Sequence, residues 1–539
     1  MLTFPFLRDT PDDLIREVVR RLAPRDLAED LAGATRETLE RVLFSLCGFQ
    51  VLHEKAVRRI MAQGLSPSTL RSVAEELGVK GSGKPFDVAL RVANVPWRVS
   101  GKAVGVFSEV FSIDLEFLPQ AGDRKDHVEY VEPFSPPPEL FDYQREIADE
   151  IRDFIIGGGG TALMQLPTGA GKTRTAMDGI ASALSQLPSG ASKGVLWFAH
   201  TQELCEQAHE SFIKTWRDVG SYEVRVARFW GEYRAPVEEM LGSVNICGFQ
   251  KAVSLRRRAP DEFERLARKT SVAIVDEAHK ALAPTIRALV SDLMRLNVTV
   301  LGLSATPGRS ASDDSENIAL ADLFGKRLIV TTRLGDDPIR ELQERGVLAM
   351  VERETLTTKC RCLLSRGERN AAVEYSDLPQ SVLSRLAENK GRNDIICETV
   401  AAECTTGGPS LVFACSVDHS RFLSSKLAIL GFRTSAIDCH MRRAQRMRVI
   451  QSFRRGEIDA LFNFGVLSTG FDAPNVRTVV IARPTSSIVL YSQMIGRGMR
   501  GVLVGGEQVC KLIDIRDNFE NFGEVGEVYE YFSQFWGAD

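Results

Sequence analysis

Residues 161–180 read TALMQLPTGAGKTRTAMDGI, and the fold follows from how this stretch is parsed. Thr161–Leu166 is an apolar run of strand length, set off from the helical pattern before it by the glycines at 157–160. Pro167-Thr168-Gly169-Ala170-Gly171-Lys172-Thr173 follows at once, and the pattern of Arg174–Leu187 predicts a helix. A strand, a glycine-bearing loop and a helix in direct succession make a cradle for phosphate. Gly169 and Gly171 let backbone amides approach an anion, and the helix N-terminus adds its positive end. Lys172 is placed to pair with the β- and γ-phosphates of a nucleotide, and the Thr173 hydroxyl to hold Mg2+. One position departs from the strict pattern: Leu166 stands where a glycine is usual, six residues before the lysine.

Working outward, similar short runs recur at Gly194–Ala199, Val272–Val275, Val298–Leu303, Ser410–Ala414, Ala460–Phe464 and Thr478–Ala482, with amphipathic helical patterns between them. Strands spaced by helices imply βαβ units and parallel sheets covered on both faces. There are enough strands for two sheets, dividing near Arg333–Leu348. Val272–Val275 ends in Asp276-Glu277-Ala278-His279, and a carboxylate at such a strand end borders the crevice where ligands bind. Asp276 is expected to complete the Mg2+ shell, and Glu277 to orient and deprotonate a water. Alone, these four residues would describe a charged helix start; the phosphate loop upstream gives them their chemistry.

Before residue 119 the texture is helical. Leu14, Val18, Val19 and Leu22 share a face, and Leu39, Val42, Leu43 and Leu46 repeat the pattern. Pro119–Pro138 reads as a linker, ending in Ser135-Pro136-Pro137-Pro138, where proline forbids helix. The expected organisation is a helical N-terminal domain at 1–118, a linker at 119–138, α/β domains at 139–335 and 345–520, and a tail at 521–539.

Composition narrows the class. The 539 residues are 44% hydrophobic, with 67 basic against 71 acidic side chains, a net charge of −4 that excludes a polybasic coat but leaves room for a local basic groove. No stretch has the apolar length of a membrane helix, and Met1–Asp13 lacks the pattern of a signal peptide. Ten scattered cysteines argue against a disulfide framework, and Cys360, Cys362, Cys397 and Cys404 lack the paired spacing of a structural zinc site. A cytoplasmic protein with reduced thiols is the expectation, with no membrane association.

In order along the chain, these blocks resemble a superfamily 2 helicase or translocase of the DEAH-box kind, over roughly Phe141–Asp514. Leu140-Phe141-Asp142-Tyr143-Gln144 is similar to the adenine-reading element, which gives Gln144 a bidentate amide contact to the base. Phe198–Leu204 and Cys247–Lys251 resemble strand-tracking loops, and Ser304-Ala305-Thr306-Pro307 the element coupling hydrolysis to strand movement. Leu467–Pro474 resembles the fifth motif, which touches nucleic acid and nucleotide and contains Asp472. Tyr491–Arg500 matches the sixth motif in its form Gln-x-x-Gly-Arg-x-x-Arg. Gln493 falls to nucleotide contact, and Arg497 and Arg500, three apart and read as one helical face, to arginine fingers. The stretch Arg483-Pro484-Thr485 brings the resemblance closest to restriction-enzyme motor subunits and DNA-repair helicases.

The resemblance implies an α/β fold of two tandem RecA-like parallel-sheet motor domains behind a mostly helical N-terminal domain. It implies ATP and Mg2+ as cofactors and nucleic acid as partner, DNA rather than RNA. No nuclease constellation stands out, so cleavage would fall to a partner nuclease or other subunit. The alternative is an ATP-gated DNA-binding or remodelling scaffold that serves such a nuclease without unwinding. Between the phosphate loop and the carboxylates lie only Cys205 and Cys247, too few for the iron–sulfur cluster some relatives hold. Ser66–Val92 resembles a SAP-type helical hairpin, which would put Lys80, Lys84 and Arg91 against DNA phosphate. The alternative is a helical packing domain docked on the first motor, with Trp97, Phe107, Phe111 and Phe117 in its core.

Overall fold

The computed structural model describes residues 4–119, 126–134, 139–158, 160–188, 190–305, 314–375, 377–406, 408–467, 475–485 and 488–518. The chain forms two compact units. A central unit holds Lys125–Leu348 together with Ser487–Gly496, and a flanking unit holds the chain up to Arg124, Ala349–Ser486 and the stretch from Arg497.

The central unit is built on eight strands: β1 (Val128–Val131), β2 (Thr161–Gln165), β3 (Gly194–Ala199), β4 (Val224–Phe229), β5 (Val244–Gly248), β6 (Thr270–Asp276), β7 (Thr299–Ser304) and β8 (Leu328–Ile329). Their order is β1-β4-β5-β3-β6-β7-β2-β8. All pairings are parallel except β1 with β4, because helical crossovers return the chain to the same end of the sheet. Helices cover both faces, so Val272, Ala273, Ile274 and Val275 of β6 are all fully buried instead of alternating. The register places Gln165 opposite Ser304 and Asp276 opposite Leu303, so β2, β7 and β6 end level with one another.

Part of the stretch read as linker belongs to this sheet. β1 pairs antiparallel with β4 from Val128↔Ala227 to Val131↔Val224. Buried Arg228 clamps it, with Nη1 donating to Asp126 O at 2.6 Å and Nη2 to Glu129 Oε2 at 2.8 Å.

The flanking unit has six strands: β9 (Met350–Arg361), β10 (Ser410–Phe413), β11 (Thr434–Ile437), β12 (Ala460–Asn463), β13 (Thr478–Ile481) and β14 (Val509–Asn518). All are parallel, in the order β11-β12-β10-β13-β14-β9. The molecule therefore carries two RecA-like parallel sheets and a helical N-terminal region.

Those N-terminal helices pack within the flanking unit. Helix Arg36–Cys47 lies against helix Val417–Ile429 and β11. Arg41 Nε donates to Ala428 O at 3.3 Å, and the Ser45 and Ser425 hydroxyls are 3.4 Å apart. The physical reason is small side chains: Ser420, Ser424, Ser425 and Ala428 are all fully buried and allow a close approach. Inside the helical region Phe4, Phe6, Phe44, Phe49 and Phe117 form one ring cluster. Trp97 and Phe107 are also buried.

The hairpin within Ser66–Val92 is formed by helices Pro67–Glu76 and Pro85–Ala93, the first capped by Ser66 Oγ on Thr69 N at 3.2 Å. Its Arg91 is turned inward, Nε donating to Lys80 O at 2.8 Å and Nη2 to Ser82 O at 2.7 Å. Arg91 therefore holds the turn together. None of the ten cysteines is in a disulfide. No helix among the described residues is long and apolar enough to cross a membrane.

Candidate functional site

The phosphate loop leaves the end of β2 in the middle of the sheet. Leu166 N donates to Ser304 O at 3.2 Å, so the residue after β2 still leans on β7. Leu166 is buried and its φ is not positive, which explains why this position accepts a leucine. Gly169 and Gly171 both have φ of +89°, the left-handed region where a side chain is strained. At Gly171 a Cβ would lie 2.3 Å from Gln144 Nε2. Helix Lys172–Gln186 starts directly behind, with Lys172 and Thr173 in its first turn.

Gln144 sits in the first turn of helix Asp142–Ile156 and grips the loop. Its Nε2 donates to Ala170 O at 3.0 Å, and its Oε1 accepts from Phe141 N at 3.2 Å. Tyr143, which sequence reasoning gave no role, donates its hydroxyl to the same Ala170 carbonyl at 3.0 Å. Each end of the Gln144 amide keeps one further donor or acceptor position.

Asp276 ends β6 and Glu277 leaves it with φ of +54°, a left-handed turn that redirects the chain between two adjacent carboxylates. Asp276 Oδ1 accepts from Glu277 N at 3.0 Å. Burial, reinforced by the charge of Glu277 and opposed by Lys172, pushes the Asp276 carboxyl up to about 6. The groups around the Glu277 carboxylate include a lysine, a histidine and an amide. Lys172 Nζ is 3.9 Å from Oε1, His279 Nδ1 is 3.3 Å from Oε2, and Gln493 Nε2 donates to Oε2 at 3.2 Å. His279 is the member that sequence reasoning missed; its place two residues after Glu277 was the available signal.

Nearby, β3 and β5 are neighbours and end together, bringing His200 within 4.4 Å of Phe249, ring to ring. Burial first, then the charges of Lys280 and His279, lower His200 to about 4.

One sequence expectation is corrected here. Helix Ile488–Ile495 carries Gln493 but ends before the arginines, so Arg497 and Arg500 do not share a helical face. Glycine is the reason: at Gly498 an added Cβ would meet Cys510 Sγ at 2.4 Å and Val479 Cγ2 at 2.6 Å, so the backbone turns in against β14 and β13. By compact unit, Gln493 belongs to the central unit and Arg497 and Arg500 to the flanking one. Asp472, Thr306 and Pro307 lie outside the described residues.

Comparison with known proteins gives the same picture. A family model described as "Type III restriction enzyme, res subunit" matches residues 137–309, and "Helicase conserved C-terminal domain" matches 391–502. A Saccharomyces cerevisiae protein named as the ATP-dependent helicase IRC3 is 26% identical over 392 residues, 70% of this chain and 51% of that protein. The DEAD-box ATP-dependent RNA helicase 10 of Arabidopsis thaliana is 32% identical over 235 residues, 39% of this chain and 51% of the relative. The chain thus spans about half the length of these curated relatives. Among solved structures, the DUF1998 helicase MrfA bound to DNA aligns with a TM-score of 0.51 at 14% identity, covering 76% of this chain and 53% of the other. That likeness is one of fold.

Proposed function

Because this chain belongs to the superfamily 2 helicases, we propose that it is an ATP-dependent helicase or translocase that moves along DNA. The observation that carries this reading is the assembly around Glu277, where Lys172, His279 and Gln493 converge on one carboxylate beside the phosphate loop. Lys172 binds the β- and γ-phosphates, backbone amides at Gly169–Lys172 cradle them, and Gln144 offers its remaining amide positions to adenine. Thr173 and Asp276 supply two hard oxygen donors that suit Mg2+, and a cation there offsets the burial that favours protonated Asp276. When bound, Mg2+ neutralises charge on the β- and γ-phosphates. Glu277 orients the attacking water and takes its proton; Lys172 and Gln493 hold the carboxylate until nucleotide arrives. Arg497, Arg500 and Asp472 are assigned to the nucleotide from the second motor, the arginines to stabilise charge developing on the γ-phosphate.

A nucleotide seen by both motors favours one arrangement of them before hydrolysis and another after it, and alternating grip converts that difference into movement. Grip on the strand rests on phosphate contacts. DNA is preferred over RNA on the resemblance to restriction and repair motors, and strand cleavage is left to a partner nuclease. The lack of any disulfide among the ten cysteines supports a cytoplasmic location.

Steady-state ATPase assays with single-stranded DNA, duplex DNA and RNA test this reading. DNA is expected to raise turnover at least about tenfold, and Lys172→Ala to abolish it. Turnover indifferent to every polynucleotide would leave the alternative, an ATP-gated scaffold.

A further inference from the structure

The chain that leads to Gln493 runs on from the end of β13 through residues 482–485 of the flanking unit. The ladder of β13 with its two neighbours stops at Ile481, yet the next residues are held firmly. Ala482 O accepts from Arg392 Nη2 at 2.5 Å and from Cys415 Sγ at 3.2 Å. Arg483 is ion-paired with Asp377, and Thr485 Oγ1 donates to Asp377 Oδ1 at 2.9 Å. Ala482, Arg483 and Thr485 are thus each fixed by a side chain from outside the strand.

The groups that do this are an uncommon choice for packing alone. The Arg392 side chain has no accessible surface, and its Nε donates to the equally buried Asp517 Oδ1 at 2.7 Å, which also takes Thr358 Oγ1 at 2.8 Å. A buried ion pair is a poor source of stability compared with apolar packing, but its bonds are directional. The residue beside Arg392 repeats the device. Asn393 Oδ1 is 2.9 Å from His419 Nε2, while His419 Nδ1 accepts from Cys415 N at 3.1 Å, just past β10. Two consecutive polar residues at the start of helix Lys390–Thr406 therefore brace the exits of two neighbouring strands.

We infer that Arg392 and Asp377 are positioning residues for hydrolysis: they fix Ala482, Arg483 and Thr485, the segment that leads in sequence to Gln493, Arg497 and Arg500. This rests on the ATP-hydrolysis reading above. Neither residue touches the nucleotide in that reading; they act through Ala482, Arg483 and Thr485.

Asp377→Asn is the discriminating variant. It keeps the side chain's size and the oxygen that Leu378 N and Thr485 bond, and removes only the charge facing Arg483. DNA-stimulated kcat is expected to fall about tenfold, with KM for ATP within about twofold of wild type and the melting temperature within about 2 °C. Asp377→Glu, which keeps the charge, is expected to retain more than about half of kcat. Wild-type kcat in Asp377→Asn overturns the inference. So does a joint fall in kcat and melting temperature with a raised KM, the pattern of a merely structural residue. A wild-type protein with no polynucleotide-stimulated turnover fails the hydrolysis reading itself, and this inference with it.

Discussion

Glu277 concentrates the chemistry of the central unit in one side chain. It is 9% exposed, with a cation, an imidazole and an amide around its carboxylate. Glu277→Gln keeps the shape and removes the carboxylate proposed as the base. ATP binding is expected to stay within a few-fold of wild type while turnover drops at least about a hundredfold. Equilibrium binding of a fluorescent ATP analogue beside single-turnover hydrolysis checks both halves, and normal hydrolysis would remove Glu277 from the role. Lys172, Thr173, Asp276, Glu277 and Gln493 each lie in a short block that stands out in the sequence, and the structure brings Lys172, Gln493 and Glu277 together. Asp377 and Arg392 do not stand out: their partners are 106 and 125 residues away, and nothing local announces such a pairing. The arginine pair shows the opposite failure, since helical spacing was projected past Gly496 into a turn.

Elements were legible where burial is two-sided. β2, β3, β6, β7, β10, β12 and β13 read as plain apolar runs because both faces of a parallel sheet are covered. β4, β5 and β14 escaped, broken by Arg225 and Arg228, by Asn245, and by Lys511, Asp514 and Arg516 respectively. Those interruptions have structural work to do. Asn245 is fully buried and its Nδ2 donates to Val195 O, Met240 O and Ser243 O, while Arg228 clamps β1 to the sheet. Replacing Arg228 with Met fills the space but drops the clamp. It is expected to cost roughly 2 kcal/mol, the scale of hydrogen bonds to a charged group. Urea unfolding gives the cost, and limited proteolysis near Asp126–Val131 should show faster cleavage; unchanged values would mean that backbone pairing alone retains β1.

For the molecule as a whole, pH stability follows from histidines held neutral. Burial first, aided by neighbouring arginines or lysines, lowers His53 and His200 to about 4 and His419 well below its ordinary value of 6.5. The unfolded chain binds protons that the folded one refuses, so this contribution is complete above 6.5 and is lost as pH falls from 6.5 toward 4. The urea midpoint is expected to be lower at pH 5 than at pH 8, with the three histidines taking up about three protons on unfolding near pH 5 and Asp276 releasing about one. Equal midpoints would contradict it. The placing of helix Arg36–Cys47 against Val417–Ile429 has a further consequence, for the newborn chain. Ser45 meets Ser425 only after 380 more residues are made, and Glu277 meets Gln493 after 216. At about 5–20 residues per second on the ribosome, helix Arg36–Cys47 waits tens of seconds with the face that meets Val417–Ile429 uncovered. That face of the helix is therefore made long before it is buried, a natural client for a chaperone that shields nascent helices.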